Sequence, residues 1–190
     1  MKSAALFPGL GLLTVLWGAP LADWLPAFPV HMLRHMGLVA LAAPLLVIGL
    51  PALAKRLAIL PLLAAALEFV VVWGWHLPGA HGLGRTEALG FVAEQSSFLA
   101  VGVLVWAGCL HAGHPLAGAG GLLLTSMHMT LLGALLTLAP RDLYADICGT
   151  APDLAGQQAG GILMLAIGTP VYLVAGLALT ARALAEERPA

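Results

Sequence analysis

Residues 30–50 read VHMLRHMGLVALAAPLLVIGL. From Gly37 to Leu50 this stretch has no charged residue, and about 20 mostly apolar residues suffice for a helix to cross the hydrocarbon core of a bilayer. The whole chain follows the same pattern, since 61% of its 190 residues are hydrophobic and only 9% are charged. Soluble domains carry about a quarter charged residues. The composition therefore predicts a helical membrane protein and excludes a soluble enzyme, a nucleic-acid binder and a disordered linker.

Clusters of proline, glycine and charged residues divide the chain into apolar segments, most of them long enough to cross a bilayer. We expect an all-α integral membrane protein, a bundle of six transmembrane helices in a single domain over residues 1–190. The predicted spans cover residues 4–17, 30–50, 57–76, 88–110, 118–139 and 158–182. Glycines inside these segments are expected to form helix-packing surfaces, namely Gly118, Gly120, Gly121, Gly133, Gly160 and Gly161.

The distribution of lysine and arginine predicts the orientation. Loops on the cytoplasmic side of a membrane carry an excess of these residues. With both termini cytoplasmic, that side holds Lys2, Lys55, Arg56, Arg182 and Arg188, whereas the opposite side holds Arg34, Arg85 and Arg141. We therefore expect both termini inside, which places Cys109 and Cys148 on opposite sides as two free thiols.

The second span opens with two interleaved pairs of metal-binding side chains. His31 and His35 are i, i+4 neighbours and project from one helical face, and Met32 and Met36 form a second pair about 100° away. Imidazole nitrogen with thioether sulfur is a donor set that suits copper, and thioethers favour Cu(I) in particular. Ionisable groups within spans are functional candidates by default. Core packing is the alternative explanation for both methionines.

Other polar residues are predicted at the same outer end of the bundle. His76 closes the third span, Glu94 lies about two turns into the fourth, and Asp153 and Gln157 precede or open the sixth. His81 follows in the outer loop.

Two polar groups are predicted nearer the middle of the bundle. His128 is either a buried ligand or a hydrogen-bonded core residue, and Glu68 lies two turns below His76 as its partner, a proton-handling group or a bundle-stabilising acid. His111 and His114 are expected to be solvated in an inner loop.

Several blocks of the chain, taken in order, resemble the multi-spanning CtaG-type cytochrome c oxidase assembly factors. The blocks are residues 31–35 with 43–51, 75–78, 127–128 with 133–137, 143–144 and 157–164. The resemblance implies maturation of a haem-copper oxidase by handling copper at the outer side of the cytoplasmic membrane. Its polar motif positions correspond to His31, His35, His76, His128 and Gln157, and the chain departs from the pattern at Gly156 and Gln95.

The leading hypothesis is a non-enzymatic metallochaperone in a bacterial inner membrane. Copper, with Cu(I) favoured, would be bound by His31, His35, His76, His128, Met32 and Met36. Glu94, Asp153, Gln157 and Glu68 would orient these ligands. Expected partners are cytochrome c oxidase subunits, a periplasmic copper donor and the lipid bilayer. Nucleic acid is not expected as a partner, and the glycine-rich faces leave a homodimer open.

Two other functions stay open. A haem-binding electron carrier would use His35 with His128 as axial ligands. A metal or proton transporter would use Glu68 with His128 and ranks last, because few polar groups continue to the inner face.

Overall fold

A computed structural model describes residues 2–186, and the chain is helical without a strand throughout this range. Arg188, one of the cations that predict the orientation, lies outside the described residues. A short 3₁₀ turn, Lys2–Ala5, precedes the first α-helix. The α-helical segments of the described range are α1 (Leu6–Gly18), α2 (Leu21–Trp24), α3 (Ala27–Gly49), α4 (Pro51–Leu57), α5 (Pro61–His76), α6 (Pro78–Thr86), α7 (Ala88–Leu110), α8 (Pro115–Leu138), α9 (Ala145–Cys148) and α10 (Leu154–Glu186).

Four of these helices, α3, α7, α8 and α10, are long and apolar enough to cross a membrane. The pair α4 and α5 counts as a fifth candidate span if taken together, although the two helices are bent by 85°. The described residues thus support four or five spans, where the sequence predicted six. The difference lies in α1, whose 13 residues reach only about 20 Å at 1.5 Å per residue, and, for the count of four, also in the bent pair α4 and α5. The orientation of the termini stays a prediction.

Proline determines where several helices begin. Pro51, Pro61, Pro78 and Pro115 each occupy the first turn of a helix, where the missing N–H costs no hydrogen bond. The predicted continuous span 57–76 was wrong at its start for this reason. Leu60 precedes Pro61, takes an extended conformation with ψ 130°, and separates α5 from α4. By contrast, α7 has the predicted bounds of 88–110.

Helix α3 contains a π-helical stretch, Gly37–Ala42, in its middle. Side chains from two other helices bind a carbonyl of this stretch. The Trp106 indole N–H donates to the Val39 carbonyl at 2.8 Å, and the Tyr172 hydroxyl lies 3.1 Å from the same oxygen. The wider helical turn therefore anchors α3 to both α7 and α10.

Close helix packing at glycine confirms most of the predicted packing positions. Helix α10 packs against α8 and α3. A Cβ at Gly161 would stand 2.8 Å from the Gly133 carbonyl, so these two backbones approach as only glycine allows. Gly118, Gly121 and Gly160 also face neighbouring helices closely, whereas Gly120 faces open space.

Candidate metal centre

Four histidines meet where α3, α5 and α6 come together. The His31 ring centroid lies 4.8 Å from that of His81 and 5.6 Å from that of His76. His35, one turn further along α3, lies 5.2 Å from His76 and stacks on Phe98 at 4.1 Å. All four imidazoles are buried. We call these histidines, together with Glu94, the histidine cluster.

Glu94 brings a carboxylate into this cluster from α7. Its Oε2 lies 3.5 Å from His31 Nδ1 and accepts a hydrogen bond from Gln95 Nε2 at 3.2 Å. His31, His81 and Glu94 each present one donor atom, and these atoms lie within 4.8 Å of one another. Tetrahedral ligands about 2.1 Å from a metal stand about 3.4 Å apart, so small side-chain movements would close this group around one ion. Glu94, expected only to orient a ligand, is thus placed to be a ligand itself.

The tautomer of His76 follows from its backbone contact. Nδ1 lies 2.6 Å from the Val72 carbonyl, which can only accept, so Nδ1 carries the hydrogen and Nε2 keeps a lone pair. Donation of one ring N–H to a carbonyl is the usual arrangement of a metal-ligating histidine. His76 Nε2 has no hydrogen-bond partner within the described residues.

Further donor atoms of the cluster share this property. Within residues 2–186, hydrogen-bond partners are absent for His31 Nε2, both ring nitrogens of His35, His81 Nδ1 and Glu94 Oε1. Buried polar atoms are almost always hydrogen-bonded, and unsatisfied ones call for an explanation such as an ion. A concentration of them at one place indicates a binding site.

His81 was predicted to lie in the outer loop. The structure places it on α6, 2% exposed, between His31 and the Tyr144 ring. Burial, with His31, His76 and Arg85 nearby, lowers the pKa of His81 to about 2, so the imidazole is neutral at physiological pH and free to ligate. Pro78 at the start of α6 was the available signal, since proline in a first turn marks a helix.

The two methionines of the predicted ligand set face another part of the bundle. Met32 and Met36 are fully buried and pack against α10, where Cβ atoms at Gly160 and Gly168 would meet Met32 Cγ at 3.0 Å and Met36 Sδ at 3.1 Å. The structure therefore brings together His31, His35, His76 and Glu94 of the predicted set and adds His81.

Glu68 and His128 form a separate pair deeper in the bundle. His128 Nε2 lies 3.9 Å from Glu68 Oε2, and the Tyr172 hydroxyl lies 2.9 Å from Glu68 Oε1. We call these three residues the Glu68 cluster. His128 also lines a largely apolar cavity of about 590 Å³ between α5 and α8.

Asp153 and Gln157 hold the segment between α8 and α10. Gln157 Oε1 accepts from the Leu143 N–H at 2.8 Å, and its amide donates to the Leu136 carbonyl at 3.2 Å. The Asp153 N–H donates to Asp142 Oδ2 at 2.8 Å. Neither residue belongs to the histidine cluster. Both form hydrogen bonds with the segment between α8 and α10 instead.

The remaining histidines and cysteines lie outside both clusters. His111 and His114 occupy the α7–α8 connection, where the His114 side chain accepts from the Leu116 N–H. Cys109 and Cys148 are free thiols, as predicted.

The architecture defines a class of protein: a helical membrane protein with a buried cluster of imidazoles and one carboxylate. The sequence model of the family described as cytochrome c oxidase caa3 assembly factor (Caa3_CtaG) matches residues 1–186. The chain belongs to this family of cytochrome c oxidase assembly factors, as the resemblance predicted. No curated protein and no solved structure matches it significantly.

Proposed function

We propose that the chain is a copper-handling factor that holds one ion in the histidine cluster during assembly of the oxidase. The observation that carries the proposal is the group formed by His31, His81 and Glu94, whose donor atoms lie within 4.8 Å of one another. Together with His76, whose Nε2 keeps its lone pair, these side chains offer three nitrogen donors and one oxygen donor. Imidazole nitrogen is a ligand that copper, zinc and iron accept, and the family resemblance selects copper among them.

The charge of the cluster supports Cu(I) as the resident state. The imidazoles contribute no charge when neutral, and Glu94 contributes one negative charge within an apolar bundle. Moving a net charge from water into the interior of a protein costs several kcal/mol of desolvation free energy. A monovalent ion beside one carboxylate leaves the site neutral, whereas a divalent ion leaves one positive charge.

The placement in the membrane belongs to the same proposal. The cluster lies at the end of the bundle that the lysine and arginine distribution assigns to the outer side of a bacterial cytoplasmic membrane. A periplasmic protein would deliver the ion there, and oxidase subunits would receive it. We propose a non-catalytic role, in which the chain contributes ligands to the ion.

A haem-binding electron carrier is the second candidate function. His128 favours it, because both ring nitrogens lack partners within the described residues and the side chain borders the cavity of about 590 Å³. At the histidine cluster, the rings of His31, His35, His76 and Phe98 contact one another, which suits a single ion better than a macrocycle.

Metal analysis combined with an absorption spectrum tests both functions. The full chain, purified in detergent and incubated with Cu(I) under reducing conditions, should retain one copper per chain and show no Soret band. Protein prepared from cells supplied with haem should likewise lack the band. Copper-free protein after loading would contradict the copper proposal, and a Soret band would establish the haem alternative.

A further inference from the structure

A small cavity with several polar residues in its lining lies beside the histidine cluster, since His81 lines it. Its volume is about 170 Å³, and it is bounded by α6, by the α8–α10 segment and by the beginnings of α3 and α10. Its polar lining residues include Cys148, Asp142, Asp153 and Arg85. We call this cavity the vestibule.

Three aromatic rings form one wall of the vestibule. Phe28, His81 and Tyr144 all line it and pack together, with centroid separations of 5.4, 5.1 and 4.2 Å. His31 is outside the lining, and its ring centroid lies 4.8 Å from that of His81. Among the described residues, His81 alone both lines the vestibule and belongs to the donor group with His31 and Glu94.

The wall of the vestibule is held in place by hydrogen bonds. Asp142 Oδ1 accepts from the N–H groups of Tyr144 and Ala145, and the Tyr144 hydroxyl donates to the His76 carbonyl at 3.0 Å. These contacts fix Tyr144 against the histidine cluster. Two other lining residues offer donor atoms to an ion: His81, whose Nδ1 has no partner within residues 2–186, and Cys148, which is half-buried and a free thiol.

We propose that the vestibule is the receiving site for the copper ion, where Cys148 Sγ and His81 bind it before His81 passes it to His31 and Glu94. A thiolate and an imidazole form a donor pair that suits Cu(I). The inference rests on the function proposed above. On binding, the Cys148 thiol releases its proton to the exposed Asp153 carboxylate or to water, and on transfer it takes a proton back. The ion keeps its oxidation state throughout, so no reductant takes part.

The rate of copper uptake tests this inference separately from the occupancy of the final site. Cu(I) held by bicinchoninate is mixed with the full chain in detergent, and loss of the chelate colour gives both the transfer rate and the endpoint. Cys148→Ser should slow transfer at least about tenfold, the effect expected from losing a soft ligand, and should leave the endpoint at one copper per chain. Cys109→Ser, which changes the thiol buried on α7, is the matched control and should transfer at the wild-type rate.

A second variant narrows the vestibule without touching the thiol. Ala27 is exposed and lines the vestibule, so Ala27→Trp should also slow uptake with an unchanged endpoint, whereas Ala22→Trp, exposed but outside the lining, should not. The inference is supported if copper uptake is slower in Cys148→Ser and in Ala27→Trp but not in the two controls, Cys109→Ser and Ala22→Trp. Unchanged rates, or a lower endpoint that would make Cys148 a permanent ligand, overturn it while the copper site stands. A wild-type endpoint of zero overturns the proposed function itself.

Discussion

The histidine cluster and the Glu68 cluster each pair an imidazole with a carboxylate inside an apolar bundle, but the two pairs have different surroundings. His31 and Glu94 lie 3.5 Å apart beside two further imidazoles, those of His76 and His81. The 3.9 Å pair of His128 and Glu68 belongs instead to a cluster whose third member is a tyrosine. Among the described residues, both clusters contain buried polar atoms without a hydrogen-bond partner. The additional imidazoles on neighbouring helices therefore distinguish the histidine cluster from the Glu68 cluster.

A tyrosine hydroxyl contacts the carboxylate of the Glu68 cluster. The Tyr172 O–H donates to Glu68 Oε1 at 2.9 Å and lies 3.1 Å from the Val39 carbonyl. One hydroxyl has one hydrogen, which these two acceptors share in a three-centre bond. Tyr172 thus connects α10 with Glu68 on α5 and with the π-helical stretch of α3.

Removing the imidazoles that face the carboxylate in each region should give the largest difference between the two regions. His31→Ala combined with His81→Ala takes away two of the three closest donors, and we expect purified protein to lose copper completely. His128→Ala, the matched change in the Glu68 cluster, should leave one copper per chain. Elemental analysis after loading and gel filtration makes the measurement. Copper that stays with the double variant, or leaves with His128→Ala, would reverse the assignment of the two regions.

Neutralising one carboxylate in each cluster should give an intermediate difference. Glu94→Gln removes the negative charge beside His31 and weakens an oxygen ligand, so the copper affinity should fall at least about 10–100-fold, the range that follows from changing only the hydrogen-bond partners of metal ligands. Glu68→Gln keeps an oxygen that accepts from the Tyr172 hydroxyl and should bind copper as the wild type does. Competition with a chromogenic Cu(I) chelator gives both affinities. An equal loss of copper affinity in the two variants would contradict the assignment of the ion to the histidine cluster.

Hydropathy predicted the limits of a helix correctly where polar residues flank the apolar stretch at both ends. The limits of α7 follow from Glu87 before it and from the His111 connection after it. The break between α4 and α5 was not predicted, because residues 58–60 are as apolar as the helices they join and only Pro61 signals it. The π-helical turn at Gly37–Ala42 has no hydropathy signature, since it depends on donors from Trp106 and Tyr172 that are distant in sequence.

The site was predictable as far as it depends on helical spacing. His31 and His35 share a face because they are one turn apart, and their neighbours His76 and Glu94 were expected at the same end of the bundle. His81 was missed because its position depends on tertiary contacts of a short helix. Gly84, on α6, allows that helix to approach α7 so closely that a Cβ there would stand 2.9 Å from Glu94 Oε1. Such a contact between two helices cannot be predicted from residue spacing in the sequence.

That contact supplies the smallest and most specific test of the comparison. Gly84→Ala should displace the Glu94 carboxylate and lower the copper affinity by less than about tenfold, short of the effect of changing the carboxylate itself. Gly79→Ala, on the same helix and facing open space, should leave the affinity unchanged. Alanine is favoured over glycine within a helix by roughly 0.5–1 kcal/mol, so both variants gain helix propensity. A lower affinity in Gly84→Ala alone therefore reports a displaced donor, whereas equal affinities in the two variants would show that the position of Glu94 does not matter for the ion.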